Sequence, residues 1–225
     1  MSNNLGIYKS PTRNIFCPTG EGGGVDPTCS PTSGMSPQQD SPASWSSDHK
    51  EVRAAAADMS GAEVNKHQFR SLRNYGFGDY DDVNRYLRTR AIPNEPNRVT
   101  KIIEDLDNVM ERSVTKAPLT VYRLVPPEVL SGMMPGQSFV DKGFVSTSRL
   151  SSPRLEGLDS RLATSSVKMA IATPRGFNAI DMDRGGYSFA DEREVLLPRG
   201  VKFTLDRIEA GVYYMTPSQN NSENL

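Results

Sequence analysis

Apolar residues spaced three or four positions apart predict helices in the first half of the chain. The run "PNRVTKIIEDLDNVMERS" at 96–113 keeps this spacing throughout and is typical of an amphipathic helix. The run "DYDDVNRYLRTR" at 79–90 begins with acids and ends with bases, which favours a helix with Asp79 as its N-cap. Helix formers also dominate residues 48–76, where Gly76 is the expected helix end.

After Pro118 the pattern changes to short segments rich in β-branched and aromatic residues, separated by Gly, Pro and Asn. The predicted strand segments are "LTVYRLV" (119–125), "SFVDKGFVSTS" (138–148), "SSVKMAIATP" (165–174), "FNAIDMD" (177–183), "EREVLLP" (192–198) and "VKFTLDRIEAGVYYMTP" (201–217). Helices first and strands afterwards predict an α+β domain, because an alternating order would be needed for a parallel α/β sheet.

Residues 1–48 show neither period and are rich in Pro, Gly and Ser. Such a segment buries too little apolar surface to offset the entropy lost on ordering, so we expect a disordered leader. Its composition suits a type III secretion signal, and a plain disordered tail has the same composition. The predicted organisation is therefore a leader at 1–48, a folded domain at 49–217 and a disordered tail at 218–225.

Composition and charge argue against several classes of protein. The net charge of −1 offers no basic surface for nucleic acid, and no apolar run approaches the roughly 18 residues of a membrane span. The two cysteines, Cys17 and Cys29, lie in the leader and match no zinc spacing. With only His49 and His67 as histidines, a Ser-His-Asp triad or a histidine metal site is not expected. We expect a monomer without a metal.

Polar residues inside the predicted strands are the remaining candidates for chemistry. Arg123 lies within "LTVYRLV", Ser-Thr-Ser at 146–148 ends "GFVSTS", and Glu192 and Glu194 precede an apolar run. In an extended segment the two glutamates would share one face about 6–7 Å apart and repel each other. Each feature alone has an ordinary explanation: an outward-facing arginine on an edge strand, hydroxyls that cap a turn, or a solvated acidic loop.

In their order along the chain, these segments resemble the Arg–Ser–Glu class of mono-ADP-ribosyltransferase toxins. The matching sequence segments are "LTVYRLV", "GFVSTS" and "EREVLLPRG". Upstream, "YDDVNRYLR" is similar to the helix over the NAD cleft, and "IIEDLDNVMER" to the helix before the first core strand. The resemblance spans about residues 65 to 215. It implies the α+β ADP-ribosyltransferase fold, with N-terminal helices beside two facing, mostly antiparallel β-sheets and with NAD between them as the substrate.

The resemblance also implies roles for the polar residues. Glu194 would hydrogen-bond the ribose and stabilise the oxocarbenium-like centre formed as nicotinamide leaves. Ser146 would hold Glu194 in place, and Arg123 would bind the pyrophosphate through its guanidinium fork. Members with Glu at the place of Glu192 modify arginine, and those with Gln modify asparagine or cysteine. A carboxylate can pair with the incoming guanidinium and accept its proton, which a neutral amide cannot do.

Further positions follow from the same resemblance. Arg161 is preferred over Arg154 as a phosphate contact in the loop after Ser-Thr-Ser, and that loop lacks the aromatic residue often found there. Tyr187 and Phe189, after the glycine pair at 185–186, are expected to contact the target protein together with Glu192. The implied contacts to NAD are Tyr80, Asn84, Arg123, Leu124, Ser146, Thr147, Ser148, Arg161 and Glu194.

The resemblance thus predicts transfer of ADP-ribose from NAD to an accessible arginine on a host protein. The layout is most similar to type III effectors of plant pathogens, secreted with the help of a chaperone and delivered into the host cytoplasm. Two alternatives stay open: an NAD glycohydrolase, in which water replaces arginine, and an inactive binding module of the same fold. The complete set of Arg123, Ser146, Glu192 and Glu194 argues against the second. A glycosidase is disfavoured because neighbouring carboxylates on one strand do not flank a sugar from two sides.

Overall fold

The computed structural model describes residues 63–151, 166–184, 186–188 and 192–219. The predicted leader and all but the first two residues of the predicted tail lie outside these ranges. Among the described residues, no helix combines the length and apolar character needed to cross a membrane.

In the described part of the chain, three helices form the N-terminal layer: α1 (Lys66–Asn74), α2 (Tyr80–Thr89) and α3 (Pro96–Glu111). A capping box at Asn65 starts α1. The apolar residues at helical spacing in α3 are all buried, which confirms the amphipathic helix predicted from the sequence.

The helix end predicted at Gly76 is wrong. The chain continues from α1 through a π-helical turn, Tyr75–Asp79, and its helical dihedrals are interrupted only at Gly78. A Cβ added at Gly76 would lie 1.8 Å from the carbonyl oxygen of Tyr187. Glycine is therefore required at Gly76 by the close approach of another backbone segment, and not by the end of a helix.

Asp79 occupies the N-cap position of α2, as predicted, but its side chain does not cap the helix. Asp79 has helical dihedrals and its side chain makes no capping hydrogen bond, because the π-helical turn already precedes α2. Its carboxylate instead pairs with Arg98 on α3, with 2.7 Å between Nη2 and Oδ2. The acid predicted to start one helix therefore joins two helices.

Within the described ranges, eight strands and one short helix follow these helices. Two predicted strand segments each contain two strands: 138–148 is divided around Gly143, and 201–217 by a turn at Ala210 and Gly211, both with positive φ. The elements are β1 (Leu119–Val125), α4 (Pro127–Leu130), β2 (Ser138–Asp141), β3 (Val145–Ser148), β4 (Val167–Thr173), β5 (Ile180–Asp181), β6 (Glu194–Leu197), β7 (Val201–Glu209) and β8 (Val212–Ser218).

The strands hydrogen-bond in the order β2-β7-β8-β4-β1-β3-β6-β5, with every pair antiparallel except β4–β8. β1 and β3 are joined only at Tyr122↔Ser148, so the two strands separate beyond that pair. The sheet consequently has a five-stranded part (β2, β7, β8, β4, β1) and a three-stranded part (β3, β6, β5). The α+β class is confirmed, and the two expected sheets are joined into one sheet by the Tyr122–Ser148 pair.

Among the described residues, two apolar cores hold the layers together. The first core lies between the two parts of the sheet. It includes Val121 and Phe203 from the five-stranded part and Val195 from the three-stranded part. The other packs the helices against the opposite face of the three-stranded part, where Leu196 is buried. Since residues alternate along a strand, Glu194 lies on the same face of β6 as Leu196 and points toward the helices.

Candidate active site

The centre of the site is a contact between β3 and β6. These strands pair with Ser148 opposite Glu194 and Ser146 opposite Leu196, so Ser146 is a diagonal neighbour of Glu194 on the same face. The Ser146 hydroxyl donates a hydrogen bond to Oε1 of Glu194. Glu194 is only 1% exposed. The structure thus brings together two residues that the sequence places 48 positions apart.

The other two residues of the Ser-Thr-Ser triplet bond to backbone. Thr147 is buried and donates to the carbonyl of Val195 at 2.6 Å. Ser148 donates to the carbonyl of Glu192 at 2.7 Å and accepts from the amide of Leu150 at 3.0 Å. The triplet therefore holds both glutamates, one through its carboxylate and the other through its backbone.

The two glutamates do not share a strand. β6 begins at Glu194, and Arg193 has a φ of +48°, in the left-handed region that few non-glycine residues adopt. The expectation that Glu192 and Glu194 lie on one face of an extended segment is wrong, because the left-handed turn at Arg193 redirects the chain before Glu192. Glu192 is half-buried just outside the end of the strand.

Arg123 lies in β1, close to the point where β1 and β3 separate. It is half-buried, and its Nη1 donates to the carbonyl of Ser146 at 3.5 Å. Burial lowers the pKa of the Arg123 guanidinium; the Asp141 carboxylate opposes that shift and the Arg88 cation reinforces it. Arg123 remains a cation, since arginine titrates far above neutral pH. Its neighbour Leu124 is half-buried and pairs with Lys168 of β4.

Arg88 and Asp141 form a buried ion pair that sequence reasoning missed. Arg88 Nε lies 2.8 Å from Oδ1 of Asp141, and Nη2 lies 3.0 Å from Oδ2, with 10% and 5% of the two side chains exposed. Asp141 Oδ1 also accepts from the Gly143 amide at 2.9 Å. Arg123 is the second guanidinium near Asp141, whose charge acts on it together with that of Arg88. The available signal was the spacing of Arg88, one helical turn after Asn84.

Tyr75 is a second residue that sequence reasoning missed. It is fully buried, packs edge-on against Phe144 with 5.8 Å between ring centroids, and accepts a hydrogen bond from Nδ2 of Asn84 at 2.9 Å. Burial above all, and then the negative charge of Glu194, raises the pKa of Tyr75 far above its usual range. The phenol is therefore neutral beside the glutamate. Asn84 is buried, and its Oδ1 has no hydrogen-bond partner among the described atoms.

Tyr80 lies one turn before Asn84 and is half-buried. Burial raises its pKa to about 12, and the charges of Asp81 and Glu192 add to the shift. Tyr80, Asn84 and Arg88 are spaced four residues apart, so one face of α2 carries all three. That face runs from the neighbourhood of Glu192, past the Tyr75 phenol, to the Arg88–Asp141 pair.

The target-contact role expected for an exposed Tyr187 does not agree with its burial. Tyr187 is 8% exposed and its ring meets Phe69 edge-on at 5.4 Å, because the chain returns here against α1 and Gly76. Phe69, in contrast, is 40% exposed. Phe189, Arg161 and Arg154 lie outside the described residues. Within the described ranges, no group of His, Cys, Asp and Glu side chains is arranged to hold a metal ion.

Comparison with known proteins gives one family and several similar folds. Residues 49–225 match the model of the family described as ADP-ribosyltransferase exoenzyme. Plx2a, an ADP-ribosyltransferase toxin from Paenibacillus larvae, is 21% identical over 76% of this chain and 93% of its own, with a TM-score of 0.55. C3stau2 from S. aureus, solved with NAD, is 17% identical over 77% of this chain and 95% of its own, with a TM-score of 0.60.

A third similar structure is the ADP-ribosyltransferase Vis from Vibrio splendidus in complex with agmatine. It is 17% identical over 79% of this chain and 84% of its own, with a TM-score of 0.52. No curated protein sequence shows significant similarity to the chain. At these identities the solved structures establish the fold, and the expected ADP-ribosyltransferase fold is confirmed.

Proposed function

The chain belongs to the ADP-ribosyltransferase exoenzyme family, and we propose that it transfers ADP-ribose from NAD to arginine side chains of a protein, with release of nicotinamide. Family membership supports the coarser statement, an NAD-dependent transferase. The observation that carries the finer one is the pair of carboxylates: Glu194 is buried and bonded to Ser146, while Glu192 lies outside the strand. Two carboxylates in different surroundings suit two different tasks.

The charges next to β1 support binding of the NAD pyrophosphate. Arg123 and Arg88 place two guanidinium groups close together beside Asp141. A guanidinium fork matches phosphate oxygens better than an ammonium does.

Glu194 acts at the bond that breaks. The nicotinamide–ribose C–N bond cleaves, nicotinamide leaves with the bonding electron pair, and positive charge develops on the ribose. The Glu194 carboxylate accepts a hydrogen bond from a ribose hydroxyl and stabilises that charge. Because its oxygen is already fixed by Ser146, the carboxylate needs no reorientation as the charge develops.

Glu192 acts at the bond that forms. Its carboxylate pairs with the incoming guanidinium, a guanidinium nitrogen bonds to the ribose carbon, and the displaced proton passes to Glu192. Agmatine, which is bound to Vis, carries the same guanidinium group as arginine. A host protein as acceptor, reached after secretion, is part of this proposal; the toxins among the similar structures and the composition of the leader at 1–48 support it.

The test uses the full chain with labelled NAD and two acceptors, agmatine and a host-cell extract. We expect labelling of agmatine and of extract proteins, with the protein label released by hydroxylamine as for an arginine linkage. Glu192→Gln should abolish transfer and keep NAD hydrolysis, and Glu194→Ala should abolish both. Wild-type protein that hydrolyses NAD without labelling either acceptor would be an NAD glycohydrolase. Wild-type protein that does not consume NAD would be a binding module.

A further inference from the structure

The left-handed residue between the two glutamates is held from two sides. The Arg193 carbonyl accepts a hydrogen bond from the Arg149 amide at 3.1 Å, at the end of β3. The Arg193 side chain pairs with Asp183 at the end of β5, with 2.8 Å between Nη1 and Oδ2. Arg149 directly follows β3 and Asp183 lies two residues beyond β5, and both strands pair with β6. An unfavourable backbone conformation persists only where its surroundings impose it in this way.

The partners of Arg193 are themselves fixed. The side chain of Arg149 forms an ion pair with Asp181 at 2.6 Å, and both side chains are almost fully buried. Asp181 also accepts from the Arg184 amide at 3.0 Å, and the Met182 amide donates to the Glu194 carbonyl at 3.1 Å. Asp183 therefore lies between two residues whose amides are hydrogen-bonded, and its carboxylate pairs with Arg193.

The ion pair has a geometric consequence for the glutamates. If Arg193 were extended, β6 would continue through Glu192 and the two carboxylates would lie on one face about 6–7 Å apart. The left-handed turn prevents this, and Glu194 stays on the strand with Ser146. Glu192 lies outside the strand, and its backbone carbonyl accepts a hydrogen bond from the Ser148 hydroxyl.

We propose that the Arg193–Asp183 ion pair is a positioning device for the acceptor glutamate. By holding Arg193 in the left-handed conformation, it keeps Glu192 apart from Glu194, so that Glu192 is available to the incoming guanidinium. Arg193 and Asp183 act through Glu192 and are positioning residues. This inference rests on the proposed transfer to arginine, and it predicts that the pair governs the transfer step much more than the cleavage of NAD.

The experiment measures agmatine transfer and NAD hydrolysis by the same full-length protein. Asp183→Asn removes the ion pair without changing shape, and we expect the KM for agmatine to rise by about tenfold or more. The KM for NAD and the rate of hydrolysis should stay within about twofold of wild type, since Ser146 and Glu194 are untouched. Glu209→Gln, which breaks the exposed Arg207–Glu209 pair, is the matched control and should change neither activity.

Substitutions of Arg193 separate the charge from the backbone. Arg193→Lys keeps a cation for Asp183 and should retain most of the transfer. Arg193→Gly loses the pair but tolerates the left-handed conformation, whereas Arg193→Val loses the pair and resists that conformation. We therefore expect the ratio of transfer to hydrolysis to fall in the order Lys, Gly, Val. Thermal unfolding of every variant shows whether it is folded.

Two outcomes would overturn the inference while leaving the proposed function intact. If transfer and hydrolysis fall together in Asp183→Asn, the pair serves only general stability. If the ratio stays at the wild-type value in folded Asp183→Asn and Arg193→Val, the pair does not position Glu192. Wild-type protein that never labels agmatine would instead remove the proposed arginine transfer, and this inference with it.

Discussion

Ser146 and Glu194 lie diagonally across the β3–β6 ladder, and the Ser146 hydroxyl donates to an oxygen of Glu194, a residue that is only 1% exposed. A carboxylate in this position is costly to bury unless hydrogen bonds satisfy it. The same bond that makes the burial tolerable also fixes the direction of the carboxylate. One hydroxyl therefore both satisfies the buried carboxylate and sets its direction.

Ser146→Ala should lower the rate constant of NAD hydrolysis by about 10- to 100-fold, because Glu194 loses the donor that orients it. The KM for NAD should change little, since the guanidinium groups are untouched. Initial-rate kinetics check this, with Ser138→Ala as the control: the Ser138 hydroxyl bonds to Thr204 on an exposed part of the sheet. A change in KM alone would show that Ser146 binds NAD and does not orient the glutamate.

Asp141→Asn should cost about 3–5 kcal/mol of unfolding free energy, because it leaves the Arg88 guanidinium buried without its counter-charge. Asp79→Asn provides the comparison, since the Asp79–Arg98 pair is more exposed and should contribute less than about 1 kcal/mol. Urea denaturation of both variants gives the two values. Equal losses would mean that Arg88 reaches solvent or a new partner when Asp141 is neutral.

The local pattern of apolar and polar residues was sufficient to predict the helices and strands and part of the candidate site. The helical spacing in α3 identifies its buried face, since that spacing repeats for four turns. Glu194 could be placed because an apolar run follows it directly, and the family resemblance joined it to Ser146. The fold class follows from the order of the elements along the chain.

Long-range contacts account for what the sequence did not reveal. Arg88 and Asp141 are 53 residues apart. From local sequence, Arg88 is an ordinary basic residue in the last turn of a helix, and Asp141 is an ordinary acidic residue at the end of a strand. Arg193 carries no mark of a left-handed residue, because that conformation is usually expected at Gly or Asn and is here imposed by Arg149 and Asp183. Periodicity does not report such constraints.

Alkaline pH should destabilise the fold through Tyr80. Its pKa is raised from 10.0 to about 12, mainly by burial, so the folded state holds this proton more tightly than the unfolded chain does. The stabilisation is complete below pH 10 and is lost as the pH rises through the folded pKa. Unfolding free energies measured between about pH 9 and 12 should fall less steeply for Tyr80→Phe than for wild type. If the unfolding free energies of Tyr80→Phe and wild type fell equally steeply over this pH range, the alkaline destabilisation would not come from Tyr80.

Gly76→Ala should destabilise the protein by about 1–3 kcal/mol, since the added methyl group meets a backbone carbonyl and not a flexible side chain. The new Cβ would lie 1.8 Å from the Tyr187 oxygen and 2.9 Å from its carbonyl carbon. Relief requires the segment at 186–188 to move away from α1, and that segment leads toward Glu192. We therefore expect Gly76→Ala to lower agmatine transfer as well as the urea midpoint. Arg70→Ala, at an exposed position on α1, is the control and should leave the transfer rate and the urea midpoint unchanged. If Gly76→Ala also left both quantities unchanged, the contact with Tyr187 would not constrain the helix.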